Sequence, residues 1–273
     1  MLFIMASISD TFSEIQSSCA LIPFITAGDP NLATTRKAIE ILIEEGADLI
    51  EIGIPYSDPL ADGPTIQAAS ARAIQNGAKF SEILELVQEI TEKIQTPLIA
   101  FTYYNLILNQ GISQFVSKIR DAGFKGLLVP DLPLEESSFV EQICSQNDLD
   151  LILLIGPNSP LDRVEKITKK SQGCVYLVST TGVTGMSFGP HQKIQNLIQQ
   201  IKKISNKALI LGFGISTQKD IQLVQSWGIN GVVIGSSFVQ KLAEDLNDPE
   251  LSNFRRYCKY VKQALVSHDQ YLQ

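Results

Sequence analysis

Three carboxylates stand close together near the second apolar run of the chain: Glu51, Asp58 and Asp62. Glu51 interrupts an otherwise apolar segment, and alternate residues of a strand point to opposite faces. If Ile50 and Ile52 pack under helices, Glu51 faces the opposite, inner side. A carboxyl group in apolar surroundings has a raised pKa, as a general acid/base near neutral pH requires. The pattern therefore favours acid/base chemistry.

Simpler explanations exist for each of these acids. A buried Glu can pair with a neighbouring cation or backbone donor, and Asp is common in turns. Asp62-Gly63-Pro64 is also typical of a helix start, with Asp62 near the N-cap. Prolines 55, 59 and 64 restrict the loop that carries the two aspartates. Convergence of several carboxylates on one cavity favours catalysis over turn chemistry alone.

Glycine-bearing loops follow the last three apolar runs, at Thr181–Gly185, Gly212–Ser216 and Gly235–Ser237. Glycine lets backbone N–H groups approach an anion closely, and a helix N-terminus favours negative charge. In barrels, the loops after the last strands often bind phosphate. Together with the acids, these loops predict a phosphorylated small molecule that undergoes proton transfer.

Covalent and metal-dependent chemistry are less favoured by the residue types. A Schiff-base lysine belongs at the carboxyl end of a strand, whereas Lys125 and Lys207 precede their strands. The chain has two histidines, His191 and His268, too few for a histidine-rich metal site. Its four cysteines are scattered without zinc-site spacing, which predicts reduced thiols and no metal; they are Cys19, Cys144, Cys174 and Cys258.

Short apolar runs alternate with amphipathic stretches along the chain, which predicts strands and helices in turn. Near-continuous apolar runs are typical of parallel strands covered on both faces. The predicted strands are Leu21–Thr26, Leu49–Ile54, Leu98–Phe101, Gly126–Val129, Leu151–Ile155, Cys174–Ser179, Ala208–Leu211 and Gly231–Ile234. The predicted helices are Thr34–Glu45, Ser81–Ile94, Ile112–Ala122, Leu134–Ser145, Leu161–Ser171, His191–Ile204, Thr217–Trp227, Phe238–Ala243 and Leu251–Val266.

This alternation predicts an α/β fold, a (β/α)8 barrel of the TIM type, as a single domain over residues 1–273 with an extra N-terminal helix. The length of 273 residues and the hydrophobic content of 44% suit one large core. A doubly wound sheet would need a nucleotide fingerprint after its first strand, where the chain instead has Ala27-Gly28-Asp29-Pro30. In such a barrel the chemistry lies at the carboxyl ends of the strands, where the acids and glycines fall.

Charge and composition exclude several partners. With 22 Lys+Arg against 29 Asp+Glu the net charge is −7, so the basic footprint of a nucleic-acid-binding protein is absent. No apolar run approaches the length of about 18 residues that a membrane span needs. The opening segment Met1–Met5 has the features of neither a signal peptide nor a transit peptide. We expect a cytoplasmic protein, or one of the plastid stroma if it is organelle-encoded.

The segment from Glu51 to Gln67, EIGIPYSDPLADGPTIQ, resembles the signature of the tryptophan synthase alpha chain family. Further matching segments follow in the family order: Pro23–Pro30, Tyr103–Asn105, Pro130–Pro133, Gly182–Gly185 and Gly212–Ser216. The resemblance implies a carbon–carbon lyase of tryptophan biosynthesis. Its reaction would be the retro-aldol cleavage of indole-3-glycerol phosphate to indole and glyceraldehyde 3-phosphate.

The resemblance also implies roles for individual residues. Glu51 matches the general acid/base, and Asp62 matches the carboxylate that accepts the indole N–H. Residues matching substrate-binding positions are Phe24, Tyr103, Tyr176 and Thr184, the last on a mobile loop. Residues matching phosphate-binding positions are Gly185, Gly214, Gly235 and Ser236.

A partner is implied as well: a beta chain that consumes indole with pyridoxal phosphate, in an alpha2-beta2 tetramer. The cofactor then belongs to the partner, and none is expected in this chain. The expected contact residues are Pro55, Asp58, Asn105 and Asp131. Thr180 departs from the Arg found in some members, which leaves loop closure and coupling open. The alternatives are a stand-alone lyase, a regulatory subunit that binds a phosphorylated ligand, and a related barrel such as a ribosyl-phosphate isomerase.

Overall fold

The structure is a computed structural model that describes residues 6–15, 19–179, 191–212, 214–215 and 217–266. Within these residues it contains nine parallel strands. They are Ala20–Thr26 (β1), Ile50–Gly53 (β2), Leu98–Phe101 (β3), Gly126–Leu128 (β4), Asp150–Ile152 (β5), Leu154–Ile155 (β6), Cys174–Val178 (β7), Ala208–Gly212 (β8) and Gly231–Ile234 (β9).

Helices connect the strands and surround them. They are Ile8–Glu14 (α1), Leu32–Glu44 (α2), Pro64–Gln75 (α3), Phe80–Thr91 (α4), Tyr104–Gln110 (α5), Ile112–Asp121 (α6), Ser137–Ser145 (α7), Leu161–Lys170 (α8), His191–Ile204 (α9), Gln218–Ser226 (α10), Ser236–Glu244 (α11) and Ser252–Val266 (α12). None of the helices in the described part of the chain combines the length and apolar composition needed to cross a lipid bilayer.

The strands form a TIM barrel that is closed around a split fifth strand. Their order is β5-β4-β3-β2-β1-β9-β8-β7-β6, with parallel pairing throughout. The predicted fifth strand, Leu151–Ile155, is broken at Leu153 into β5, which pairs with β4, and β6, which pairs with β7. Leu153 itself accepts a hydrogen bond from the backbone N–H of Tyr176 at 3.2 Å. The predicted (β/α)8 architecture is therefore confirmed. Its fifth strand is divided into two segments, and each segment pairs with a different neighbouring strand.

Side-chain alternation divides the core into two parts. Ile50 and Ile52 of β2 belong to the larger apolar cluster between the strands and the helices. Alternate residues of neighbouring strands form the inner cluster, for example Phe24 and Ile99. Glu51 is paired in register with both of these residues. The sheet thus directs Glu51 into the barrel, as the alternation predicted.

Two helices, α3 and α5, were not among the predicted helices, although Asp62-Gly63-Pro64 was recognised as typical of a helix start. In α3 the buried face is formed by Ile66 and small residues such as Ala69 and Ala73, which give a weak apolar signal. The helix α5 has seven residues and ends at Gly111, so it is too short to show a clear period. Both helices directly follow loops that carry candidate site residues, and they therefore help to fix those loops.

The helix α1 is the predicted extra N-terminal helix. It covers the amino-terminal end of the barrel. Ile8 is fully buried and belongs to the inner cluster. It fits against two glycines: a Cβ atom on Gly126 would lie 2.7 Å from Ile8 Cδ1, and one on Gly173 would lie 3.0 Å from Ile8 Cβ. Ser7 begins the helix by accepting the Asp10 backbone N–H at 3.1 Å. The helix therefore closes the end of the barrel opposite the candidate site.

Replacing Ile8 with Ala should lower the free energy of unfolding by about 2–4 kcal/mol, because it opens a cavity in a fully packed region. Urea denaturation of the full chain measures this change. Ile74, on the exposed side of α3, provides the matched control: its replacement with Ala should change stability by less than about 1 kcal/mol. An equally small effect of Ile8→Ala would contradict the role of α1 as a packed closure.

Candidate active site

Glu51 is the second residue of β2, and its side chain lies inside the barrel. Its side chain is buried, with 1% of the residue exposed, and its Oε1 atom has no hydrogen-bond partner among the described residues. Burial raises the pKa of Glu51 to about 8, because water no longer stabilises the charged form. The simpler explanation was that Glu51 pairs with a cation or a backbone donor. Its Oε1 atom has no such partner among the described residues. Glu51 is a protonated acid at neutral pH.

Asp62 lies at the end of the loop that leads from β2 into α3. It is 3% exposed, and its Oδ1 atom has no hydrogen-bond partner among the described residues. Burial raises the pKa of Asp62 to about 6, while a hydrogen bond from the Tyr103 hydroxyl acts in the opposite direction. Asp62 is therefore mostly ionised at pH 7.

The chain enters α3 directly after Asp62. Gly63 is the N-cap of α3, Pro64 is its first residue, and no side chain caps this end among the described residues. The predicted helix start is thus confirmed, with Asp62 directly before the N-cap and Pro64 in the first turn, although the Asp62 side chain does not cap the helix. The Asp62 backbone carbonyl instead accepts a hydrogen bond from Gln67 Nε2 at 2.7 Å. This contact fixes the backbone and leaves the carboxyl group directed into the site.

Tyr176 connects the two acids electrostatically. Its pKa is raised well above the ordinary value, first by burial and then by the negative charges that Glu51, Cys174 and Asp62 carry when they are ionised. The ring reaches over the end of β8, where a Cβ atom on Gly212 would lie 1.9 Å from Tyr176 Oη. Only glycine leaves room for this side chain. Both acids therefore act on the same tyrosine in the mouth of the barrel.

Phe24 forms an apolar wall of the same mouth. A Cβ atom on Gly53 would lie 2.5 Å from Phe24 Cζ, so β2 ends in a residue that makes room for this ring. On its other side Phe24 approaches Gly235, where a Cβ atom would lie 3.5 Å from Phe24 Cδ1. The ring of Phe101 packs edge-on against Phe24 with the centroids 5.3 Å apart. An apolar, aromatic-sized space is thus built next to Glu51.

Two aromatic residues of this wall were not among the predicted site residues. Phe101 contacts Tyr103 edge-on at 6.3 Å, and Tyr56 stacks on Tyr103 at 5.3 Å between ring centroids. Phe101 could have been found from strand alternation, since it lies two residues after the inward-facing Ile99. Tyr56 lies in the loop, where no periodic pattern gives the direction of a side chain.

The predicted phosphate end is partly described. Gly214 follows β8 with φ +79°, and Gly235 is the N-cap of α11, whose first residue is Ser236. Because β8 pairs with both β7 and β9, the carboxyl ends of these three strands lie side by side. No side chain among the described residues caps α11, so its first N–H groups remain available to an anion. Thr180, Thr184 and Gly185 lie outside the described residues.

The predicted contact residues lie together at the same end of the barrel. They come from the loops after β2, β3 and β4, and are half-buried or exposed: Pro55, Asp58, Asn105 and Asp131. Asp131 Oδ1 accepts a hydrogen bond from the backbone N–H of Tyr104 at 2.8 Å. These three loops therefore form one continuous surface next to the site.

Lys207, which the sequence analysis did not favour as a catalytic lysine, lies away from the two acids. Lys207 precedes β8 and donates three hydrogen bonds to the carbonyls of Thr168, Lys169 and Ser171, at 3.0, 2.9 and 2.7 Å. It thus stabilises the end of α8 at the amino-terminal side of the barrel, away from the acids. All four cysteines are buried thiols that form no disulfide bond with one another.

The two acids, the aromatic wall and the backbone donors together indicate which chemistry the site can perform. A protonated Glu51 can donate a proton to a carbon or oxygen atom, and an ionised Asp62 can accept an N–H and balance positive charge. Both groups lie beside an aromatic wall that excludes water. Backbone donors for an anion lie at the ends of β8 and β9. This arrangement suits acid/base chemistry on an aromatic substrate with an anionic tail.

Comparison with known proteins identifies relatives along nearly the whole chain. A protein from Pyropia yezoensis named tryptophan synthase alpha chain is 48% identical over 263 residues, covering 96% of this chain and 100% of its own. One of the same name from Acaryochloris marina is 46% identical over 264 residues, covering 96% and 99%. These identities extend well beyond the motif segments.

Solved structures share the fold. A protein from Aquifex aeolicus superposes with a TM-score of 0.87 at 31% identity, covering 95% of this chain and 99% of its own. A chain of Mycobacterium tuberculosis tryptophan synthase gives a TM-score of 0.86 at 29% identity, with coverages of 96% and 99%. The family model described as "Tryptophan synthase alpha chain" matches residues 12–266. This chain therefore belongs to the tryptophan synthase alpha chain family.

Proposed function

We propose that this chain cleaves indole-3-glycerol phosphate to indole and glyceraldehyde 3-phosphate, with Glu51 and Asp62 as its two acid/base groups. Family membership gives the lyase activity. The observation that supports the residue assignment is the pair of buried carboxyl groups whose pKa values are raised to about 8 and about 6. Near neutral pH one of them is an acid and the other is an anion. Retro-aldol cleavage of this substrate needs one of each.

Glu51 supplies the proton that the indole ring needs. The protonated carboxyl group donates its proton to the ring carbon that carries the glycerol chain, which gives a cationic indolenine. The resulting carboxylate then accepts the proton of the glycerol hydroxyl as the carbon–carbon bond breaks. The bond electrons return to the ring and form indole, while the hydroxyl carbon becomes the aldehyde. Glu51 ends the cycle protonated, so protons and electrons balance.

Asp62 stabilises the positive charge that develops on the indole nitrogen. Its carboxylate accepts the ring N–H and is strongest as an acceptor when the ring has been protonated. Glu51 and Asp62 are both buried, and burial increases the stabilisation that one anion provides. Together the two acids lower the barrier at opposite ends of the same ring.

The remaining residues place the substrate. We assign Phe24, Tyr103 and Tyr176 to the walls around the indole and glycerol groups, since all three are buried beside the acids. Gly214, Gly235 and Ser236 hold the phosphate through backbone N–H groups at the ends of β8 and β9. Thr184 and Gly185 complete the substrate and phosphate contacts from the loop after β7.

The partner of this chain is a tryptophan synthase beta chain, in an alpha2-beta2 tetramer. A Pyrococcus furiosus chain that superposes with a TM-score of 0.80 at 31% identity comes from a tryptophan synthase complex. The beta chain binds at the surface of Pro55, Asp58, Asn105 and Asp131 and carries pyridoxal phosphate, whereas this chain functions without a cofactor. The whole chain acts as one barrel domain in the cytoplasm or the plastid stroma.

Indole release from the isolated chain, and then with an added beta chain, separates this proposal from its alternatives. We expect slow cleavage alone and roughly 5–150-fold faster cleavage with the partner, since a coupling free energy of about 1–3 kcal/mol is typical. Equal rates in both conditions would favour a stand-alone lyase. Absence of cleavage in both, with a phosphorylated ligand still bound, would favour a regulatory subunit.

The pH dependence of kcat/KM should be bell-shaped. The active form has Asp62 ionised and Glu51 protonated, so activity rises with pH through about 6 and falls through about 8. Steady-state rates between pH 5 and pH 9.5 measure both limbs. A profile that keeps rising above pH 8 would contradict Glu51 as the acid.

Replacing Glu51 with Gln should lower kcat by roughly 10²–10⁴-fold, because it removes the proton donor. Replacing Asp62 with Asn should lower kcat by roughly 10²–10³-fold, because an amide cannot balance the ring charge. Indole formation measures both effects, and phosphorylated-ligand binding should stay within about fivefold of the wild type. Turnover within tenfold of wild type would remove that residue from the mechanism.

Unfolding at several pH values controls for damage to the fold. Because the folded-state pKa of Glu51 is raised above its unfolded value, wild-type stability falls as pH rises from about 5 through about 8. Glu51→Gln lacks this titration and should be the more stable protein at pH 9. A variant that is inactive yet more stable at high pH has lost chemistry rather than structure.

A further inference from the structure

Two hydrogen bonds fasten the loop at residues 55–62 to the segment that follows β3. Near the start of the loop, Asn105 Nδ2 donates a hydrogen bond to the Tyr56 hydroxyl at 3.0 Å. Near its end, the Ala61 backbone N–H donates to the Tyr103 hydroxyl at 3.1 Å. Since Tyr103 and Asn105 are two residues apart, both ends of the loop are attached to one short stretch of backbone.

The two tyrosine rings join these attachments. Tyr56 stacks on Tyr103 with an interplanar angle of 27°. Tyr103 is buried, with 2% exposed, and packs edge-on against Phe101 of β3. Tyr103 is therefore held by the barrel, whereas Tyr56 is half-buried and is held by Tyr103 and Asn105. Because Tyr103 is fixed against β3, the ring stack also fixes the position of Tyr56 in the loop.

The middle of the loop has little burial to fix it. Ser57, Asp58 and Leu60 are exposed, and Leu60 has 81% of its surface accessible. The Ser57 hydroxyl bonds within the loop, to Asp58 Oδ2 at 2.6 Å. Gln67 holds the Asp62 backbone from the helix side, whereas the approach of the loop to Asp62 depends on the attachments at Tyr56 and Ala61.

We propose that Tyr56 and Asn105 are positioning residues that hold the loop at residues 55–62 so that the Asp62 carboxylate meets the indole nitrogen. The inference rests on the proposed function, in which Asp62 balances the charge on the ring. The Tyr56 hydroxyl is the specific element: a phenylalanine would keep the ring stack and lose the hydrogen bond to Asn105. Neither residue touches the reacting atoms.

The expected kinetic signature is a loss of kcat with little change in KM. Charge on the indole nitrogen develops in the transition state, so a displaced Asp62 weakens the transition state more than the bound substrate. The lost contact is a single hydrogen bond between neutral groups, whose net contribution corresponds to roughly a 2–10-fold effect. The Phe24, Tyr176 and phosphate contacts are unchanged, which keeps KM within about twofold.

The test compares Tyr56→Phe, Asn105→Ala and the double variant. It uses the isolated full chain, so that contacts of Asn105 with a partner do not affect the measured rates. We expect each single variant to lower kcat by roughly 2–10-fold, and the double variant to be no worse than the larger single effect. Amide hydrogen exchange gives a readout that is independent of activity. The Ala61 N–H should exchange roughly 2–10-fold faster in both single variants.

Tyr260→Phe is the matched control, because the hydroxyl of Tyr260 accepts a hydrogen bond from the Gln218 N–H at 3.2 Å on the outer helical layer. It should leave both kcat and the exchange of Ala61 unchanged. Unchanged kcat and exchange in Tyr56→Phe would overturn the proposal, as would additive losses in the double variant. If the wild type itself releases no indole, the proposed function fails, and the exchange of Ala61 still decides whether Tyr56 holds the loop.

Discussion

Two carboxyl groups are kept out of water at one end of this barrel, and much of the surrounding structure follows from that constraint. Removing a carboxylate from water opposes folding unless the group is neutralised or paired. Glu51 is buried with its Oε1 atom unpartnered among the described residues, and its raised pKa shows that it is kept protonated. Such a site needs a rigid framework. The apolar inner cluster and the closure by α1 at the opposite end provide it.

The two acids differ because they are held by different kinds of structure. Glu51 belongs to a strand paired on both sides, so the sheet fixes its direction and its complete burial gives the larger rise in pKa. Asp62 ends a loop, receives a hydrogen bond from Tyr103 and has the smaller rise. One carboxyl group is thereby neutral and the other charged at the same pH. The loop-borne acid, unlike the strand-borne one, depends on side-chain contacts for its position.

This difference also decides what the sequence could predict. Alternation along β2 was sufficient to direct Glu51 inward, because a strand has a fixed period of two residues. The break of the fifth strand at Leu153 was not visible, since Leu151–Ile155 is continuously apolar and barrel closure depends on distant strands. The contact of Tyr56 with Asn105 joins a loop to the first turn of α5, between residues that are 49 positions apart. No local pattern encodes such a contact, although both residues lie in segments that carry the family resemblance.

The shape of the mouth depends on pairs of large and small residues on adjacent strands. Phe24 of β1 fills the space above Gly53 of β2, and the Tyr176 ring of β7 fills the space above Gly212 of β8. Both glycines are the last residues of their strands, so the large rings lean towards the carboxyl ends, where the substrate is proposed to bind. The walls of the site are therefore built by the sheet itself. In the proposed mechanism the loops then need to supply only Asp62 and the backbone donors for the anion, and their attachment to the sheet would matter for catalysis.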